Sequence, residues 1–425
     1  MKPAARIAAA IEILQGMSQS GKPADRFLNE WARANRYAGA KDRNDIYNRV
    51  YRVLRRRAEY GWQVGSVEPR ALVQADLRAH DSLSLSDIAQ LFGGGKYEPA
   101  CLSDAETEAL SREIEQDAPD WVQGNYPEWL APLMAASLSD PVAEGQALSA
   151  RAPLDLRVNL LRARRERVQA ALAEEGIEAA FTPWSPDGLR IVARDRITGS
   201  KAFKQGWVEV QDEGSQIAAR FAAVRPGQQV VDLCAGGGGK TLAMAAQMEN
   251  SGQIHAFDAA AGRLKAMMPR LRRAGVHNVQ IASDPKPALE ALKGRAHRVV
   301  LDVPCSGTGA WRRNPDAKWR LTADALANHR QAQDSLLRQG AELVCPAGRL
   351  VYITCSILAC ENGQRIEQFL SDDSRFQILP PAQLWEETIG QPVPEFAKAR
   401  SDHLTLTPGS SGTDGFFICV MERVS

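Results

Sequence analysis

From Gly206 onward, short apolar runs alternate with longer amphipathic ones, and this alternation constrains the fold of the 425-residue chain more than any other feature. QQVVDLC, GQIHAFD, NVQIASD, HRVVLDVPC and GRLVYITCS read as strands, and DGFFICVMER reads as a last one. GKTLAMAAQM, GRLKAMMPRLRRAG and TADALANHRQAQDSLLRQGAELV carry apolar residues at helical spacing between them. Alternation of this kind predicts a parallel, doubly wound α/β sheet. In such sheets ligands bind at the carboxyl ends of the strands. Those ends carry Asp232, Asp258, Asp284, Asp302 with Cys305, and Cys355.

Upstream the pattern differs. Residues 1 to about 138 read as helical: ARIAAAIEILQGM and RNDIYNRVYRVLRRRAEYGW both carry apolar residues at helical spacing, the latter with Ile46, Val50, Val53 and Leu54 on one side. Arg49, Arg52, Arg55, Arg56 and Arg57 make that helix basic. A solvated face is the ordinary meaning of such a run, and a phosphate-contacting face is the functional one. LFGGGKYEP reads as a loop, and NYPEWLAPLM starts another helix with Pro127 near its first turn. Residues 150–205 then read as a small α/β unit, with strands in LDLRVNLL and GLRIVAR around a helix stopped by Gly176. Arg157, Arg162, Arg164, Arg165 and Arg167 cluster in it. The expected organisation is therefore a helical domain over 1–145, a small α/β module over 146–205 and a catalytic domain over 206–425.

Composition excludes several classes. Net charge is +1, so any nucleic-acid contact must come from local basic patches. No signal-peptide-like run follows Met1 and no stretch is apolar enough to span a membrane, which predicts a cytoplasmic protein. Seven scattered cysteines without a CxxC pair predict neither a disulfide framework nor a zinc site, so no metal is expected. A monomer is the default expectation.

The turn after the first core strand, CAGGGGKT, looks like a phosphate loop and is not one. A Walker A loop needs a glycine where Cys234 stands, and a dinucleotide fingerprint needs one at Thr241 or Leu242. What remains is a glycine turn followed by Asp258 at the end of the second strand. Glycine lets backbone pass close to a ligand, and an acid there suits ribose hydroxyls. A nucleoside cofactor without a phosphate chain, S-adenosylmethionine, fits both.

Two cysteines, each followed by serine, end the next strands: Cys305 in LDVPCSGTGAWRRNPDAKW and Cys355 in LVYITCSILACEN. A lone cysteine is usually a small buried apolar residue. A pair beside a cofactor turn suits methylation of an unactivated pyrimidine carbon. A thiolate added at carbon 6 of cytosine makes carbon 5 enamine-like, and this splits one hard step into easier ones. An acid near ring nitrogen N3 would stabilise the adduct, and Asp302 is placed for that. A second ionisable group near the adduct helps to expel the thiol.

DLCAGGGGKT, DVPCSGTGAWRRNPDAKW, YITCS with the following EN, VEVQDEGSQ and LTPGSSGTDGFFICVMER together resemble the RsmB-like (Nop/Sun group) RNA cytosine-5 methyltransferases over most of residues 120–425. The resemblance implies a Rossmann-like class I methyltransferase core with a mostly parallel seven-stranded sheet. It implies Cys355 as nucleophile, Cys305 as the thiol assisting release, and Asp302 as the acid touching the target cytosine. It implies S-adenosylmethionine contacts from Cys234, Ala235, Gly236, Gly237, Gly238, Gly239, Lys240, Asp258, Arg263, Asp284 and Asp302. KDRNDIYNRVYRVLRRR resembles a NusB-like helical RNA-binding domain, and 150–205 resembles the small RNA-handling module of the group. One departure stands out: the family loop usually reads alanine-proline where this chain has Gly236 and Gly237.

Other residues have two readings. Lys240 either orients substrate or caps the backbone. Arg312 and Arg313 could hold RNA phosphate or pair with Asp316, and RNA is favoured. Trp311 and Trp319 could stack on bases, with core packing preferred; His329 is expected at the surface or in packing. The expected RNA is small-subunit ribosomal RNA, with transfer RNA as alternative. A DNA cytosine methyltransferase, in which the proline-cysteine thiol is the nucleophile, and a non-catalytic RNA-binding protein are the rival classes.

Overall fold

The computed structural model describes residues 1–112, 117–192, 197–282 and 285–424. Contacts divide the chain into two compact units, Met1–Arg151 with Trp311–Leu321, and Ala152–Ala310 with Thr322–Ser425.

The first unit is helical, as its apolar spacing predicts. Pro3–Ser20 starts with a proline, whose missing N–H costs nothing in the first turn, and ends at Gly21 with φ +62. Ala40–Arg55 buries Ile46, Val50, Val53 and Leu54 against it. The basic face of that helix is internal ion pairing rather than a free surface. Arg49 and Arg52 grip the fully buried Asp76, and both reach Asp81. Arg56 pairs with Glu59, and Arg57 lies over the Trp319 ring. Asp76 and Asp81 lie at the far end of Pro69–Ala79 and just beyond it.

The late segment Trp311–Leu321 completes this unit. Lys318 is 1% exposed, and its Nζ donates to Arg55 O (3.0 Å), Asn125 O (2.6 Å) and Ser149 Oγ (3.0 Å). Trp319 packs on the helical core and donates its Nε1–H to Leu54 O at 2.6 Å. Trp311 is buried too, so packing is the role of both tryptophans. Arg312 is buried, with its carbonyl accepting from Arg55. Asp316 pairs with Arg320 and accepts the Ala24 N–H.

The second unit holds two sheets. Strands β1 (Leu154–Val158), β2 (Ala179–Phe181), β3 (Gly188–Ile191) and β4 (Val208–Val210) form an antiparallel sheet in the order β2-β3-β1-β4. Helix Arg165–Glu174 covers it with Val168 and Leu172. The basic cluster of this module is partly structural: Arg157 is buried, and burial pushes its pKa down to about 10. Arg165 and Arg167 lie over the Phe181 and Trp207 rings.

The larger sheet contains β5 (Gln229–Asp232), β6 (Gln253–Ala256), β7 (Val279–Ile281), β8 (Ala296–Asp302), β9 (Val344–Thr354), β10 (Phe376–Ile378), β11 (Leu404–Leu406) and β12 (Phe416–Arg423). Its order is β10-β12-β9-β8-β5-β6-β7, with β11 paired to β12. Strands β9, β8, β5, β6 and β7 run parallel, and β12 returns antiparallel against β9. The parallel strands are apolar because helices cover both faces. The chain leaves β5 in one direction and returns to β8 on its other side. That reversal opens a crevice at the carboxyl ends of β5 and β8. Register does the rest: Asp232 lies opposite Val300, and Asp302 opposite Ile353. The residues that follow β5, β8 and β9 are thus brought to one edge. Among the described residues, no helix is long and apolar enough to cross a membrane.

Candidate active site

The cleft at this edge holds about 920 Å³, at the upper end of the usual range for small-molecule sites, about 300–1,000 Å³. Its floor is the glycine turn. Gly236 (φ +54) and Gly238 (φ +85) both take left-handed backbone, which non-glycine residues adopt only at a cost. At Gly238 packing adds a second reason, since an added Cβ would lie 2.4 Å from Met267 Cγ. Gly236 N–H donates to Asp258 Oδ2 at 2.9 Å, and Ala260 N–H donates to Asp258 Oδ1 at 2.7 Å. Asp258 therefore fixes the turn while lining the cleft with Cys234, Ala235, Gly236, Gly237, Gly239 and Arg263. Asp284 lies outside the described residues.

The helix Gly239–Gln247 starts at the turn and places two side chains. Thr241 donates its hydroxyl to Asp232 Oδ2 at 2.8 Å. Burial first, then the charge of Asp302, pushes the Asp232 carboxyl up to about 7. Lys240 Nζ donates to Asp302 Oδ2 at 2.6 Å, with Lys240 8% and Asp302 32% exposed. Of the two expected roles, the backbone-capping one is not what the geometry shows: the lysine orients the acid.

Both cysteines border the cleft, and Cys305 Sγ lies 3.5 Å from Cys355 Sγ. The hydrogen bond with Cys355 raises the Cys305 thiol pKa most, followed by burial and by the nearby Glu361 carboxylate. The two loops that carry the thiols are stitched together. Gly309 N–H donates to Cys355 O (2.9 Å), Ile357 N–H to Thr308 Oγ1 (2.9 Å), and Ser306 N–H to Glu361 Oε1 (2.9 Å). The arrangement sets two adjacent thiols, one of raised pKa, and a lysine-bound acid beside a glycine-floored crevice. All cysteines are free, and among the described residues no group of three or more His, Cys, Asp or Glu is placed to hold a metal ion.

Sequence reasoning left several lining residues unassigned. Gln211, Ser215 and Arg270 border the cleft, as does His329, which had been expected at the surface or in packing. Arg270 also donates to Gly237 O. Gln211 and Ser215 stand in the VEVQDEGSQ segment, which carried no assigned role, and Arg270 and His329 stand in no motif. Asp232 was visible as a strand-end acid but had no assigned role, and Glu361 was visible only as part of the EN pair.

The family model of the 16S rRNA methyltransferases RsmB/F matches residues 219–422, and the model of the RsmF/B-like ferredoxin-like domain matches 126–198. The probable ribosomal RNA small subunit methyltransferase B of Synechocystis sp. is 34% identical over 71% of this chain and 67% of its own. The ribosomal RNA small subunit methyltransferase B of Pseudomonas syringae pv. tomato is 32% identical over 75% of this chain and 70% of its own. Among solved structures, PH0851 superposes with a TM-score of 0.78 at 27% identity, covering 100% of this chain and 99% of the other. A methyltransferase homolog protein from Pyrococcus horikoshii gives a TM-score of 0.60 at 26% identity, over 72% of this chain and 97% of the other.

Proposed function

We infer the reaction from one premise: the chain belongs to the RsmB/F family of 16S rRNA methyltransferases. We propose that it methylates carbon 5 of a cytosine in small-subunit ribosomal RNA, using S-adenosylmethionine and a covalent adduct to Cys355. The observation that carries this reading is the thiol pair, 3.5 Å apart, opening on the glycine-floored cleft.

The residues present fit the cofactor. Two left-handed glycines let a ligand approach the backbone closely, and the Asp258 carboxylate fixes the turn by accepting the Gly236 N–H. The turn from Cys234 to Lys240, with Asp258 and Arg263, would hold it. When bound, S-adenosylmethionine supplies an electrophilic methyl group on a sulfonium. The rest of the chemistry belongs to the chain. Cys355, as thiolate, adds to carbon 6, and the new C–S bond makes carbon 5 nucleophilic. Asp302, held by Lys240, would meet the ring nitrogen of the adduct. After methylation the proton on carbon 5 passes to a water molecule, the C–H electron pair restores the carbon 5–carbon 6 double bond, the C–S bond breaks, and its electron pair returns to Cys355. Cys305, kept protonated by its neighbours, assists that expulsion. The helical segment 1–145 and the module 146–205 serve as RNA-holding domains for the catalytic segment 206–425.

Two variants test the reading. With in vitro transcribed 16S rRNA and radiolabelled cofactor, Cys355→Ala abolishes methyl transfer. Cys305→Ala forms the protein–RNA adduct and fails to release it. The reverse pattern, with Cys305 required for the adduct and Cys355 dispensable, assigns the chain to the DNA-type mechanism instead. Bisulfite sequencing of ribosomal and transfer RNA with and without the protein identifies the substrate.

A further inference from the structure

Cys305 follows β8 in a loop, yet its place is fixed from both sides by two fully buried side chains. On one side the Gln333 amide donates to Pro304 O at 3.0 Å. On the other, Ser306 N–H donates to Glu361 Oε1 at 2.9 Å, and the Ser306 hydroxyl donates to Glu361 Oε2. Gln333 also donates to Glu361 Oε1 at 3.1 Å, so the two grips are one assembly. Glu361 is in turn tied to the strand that carries the other thiol, because Tyr352 OH donates to its carbonyl at 2.6 Å. A buried carboxylate is costly unless its oxygens are taken up by donors. Here the donors are Ser306, the immediate neighbour of one thiol, and Gln333.

We propose that Glu361, with Gln333, is the positioning residue that brackets Cys305 and holds it against Cys355 for the release half of the reaction. This rests on the adduct chemistry proposed above. The bracket touches neither thiol sulfur. It acts through the peptide units at 304 and 306, and so determines how far Cys305 Sγ stands from Cys355 Sγ. Its negative charge adds to the effects that keep the Cys305 thiol protonated. Losing the bracket leaves Cys355 at the end of β9, still able to attack carbon 6, while the thiol that assists expulsion drifts. The signature is therefore the one a Cys305 defect gives, an adduct that forms and persists, rather than the parallel loss that general damage to the site gives.

The full chain carrying Glu361→Ala, Gln333→Ala, Glu361→Gln or Cys305→Ala is assayed on in vitro transcribed 16S rRNA for methyl turnover and for SDS-resistant protein–RNA adduct. Glu361→Ala and Gln333→Ala lower turnover by about tenfold or more, since a displacement of ~1 Å can cost up to about a hundredfold, and both accumulate adduct. Glu361→Gln keeps an oxygen for Ser306 N–H and brings turnover back toward the wild-type rate without accumulation. If Glu361→Ala does not fold, Gln333→Ala carries the test alone. Adduct and turnover falling together in a folded variant, or wild-type turnover in either alanine variant, overturns the bracket. If Cys305→Ala itself accumulates no adduct, the adduct reading fails first, and the bracket with it.

Discussion

Asp232→Asn measures what the acid beneath the glycine turn costs the fold. Asp232 is 1% exposed at the end of β5, and one oxygen accepts the Thr241 hydroxyl. Burial raises its carboxyl from 3.8 to about 7. Between those values the folded protein keeps a proton that the unfolded chain has lost. Stability therefore falls as pH rises through this window and levels off above it. A displacement of that size corresponds to about 4 kcal/mol at neutral pH and above. Asparagine is neutral throughout and can still accept from Thr241 through its oxygen. Its amide nitrogen gains two N–H groups in a buried site, costing about 1–3 kcal/mol if one goes unmet. The variant is thus more stable than wild type by about 1–3 kcal/mol at pH 8, and less stable by up to about 2 kcal/mol at pH 4.5, where the unfolded wild-type carboxyl is already mostly ionised and about 1 kcal/mol of the difference is gone. Urea unfolding of both proteins without cofactor, at half-unit steps from pH 4.5 to 8.5, gives the difference directly. Other titrating groups cancel in that difference. A difference that changes by less than about 0.5 kcal/mol across the range, the size of an ordinary surface substitution, refutes the reasoning.

Gly236→Ala forces a Cβ into left-handed backbone at φ +54 and lowers stability by about 1–2 kcal/mol, measured by thermal unfolding. Gly237 has no positive φ, so Gly237→Pro, which restores the usual family residue, gains about 0.4–1 kcal/mol by the same measurement once the nearby Arg270 guanidinium shifts. Arg52→Ala removes charged hydrogen bonds to the buried Asp76 and costs about 1.5–3 kcal/mol. It shows as a lower melting temperature, while the salt dependence of RNA binding is unchanged.

The sequence disclosed the core because its strands are continuous apolar runs ending in acids or cysteines. β5, β6, β8, β9 and β12 stand where the runs stand. β10 and β11 are three residues each and carry no such run, and β12 supplies their pairing. The thiols were legible because each sits at a strand end in a recognisable motif. Their surroundings were not, because the partners are remote. Lys240 meets an acid 62 residues away, and Glu361 meets Ser306 55 residues away. The basic helix misled for the same reason. Five arginines within nine residues read as a surface, whereas Arg49 and Arg52 face Asp76, which lies more than twenty residues further on.

The helical unit is finished by a piece of chain made long after the rest of it. Residue 321 leaves the ribosome 170 residues after residue 151, a delay of about 10–30 s at ordinary rates of synthesis. Until then the carbonyls of Arg55 and Asn125 lack the Lys318 ammonium, and Leu54 lacks the Trp319 indole. The nascent N-terminal segment therefore leaves these acceptors to water until residue 321 has been made. A gene fragment cut at residue 151 lacks the Trp311–Leu321 segment of this unit. The unit matures only when the loop that bears Cys305 has itself been translated, so no chain presents a completed helical unit without that thiol.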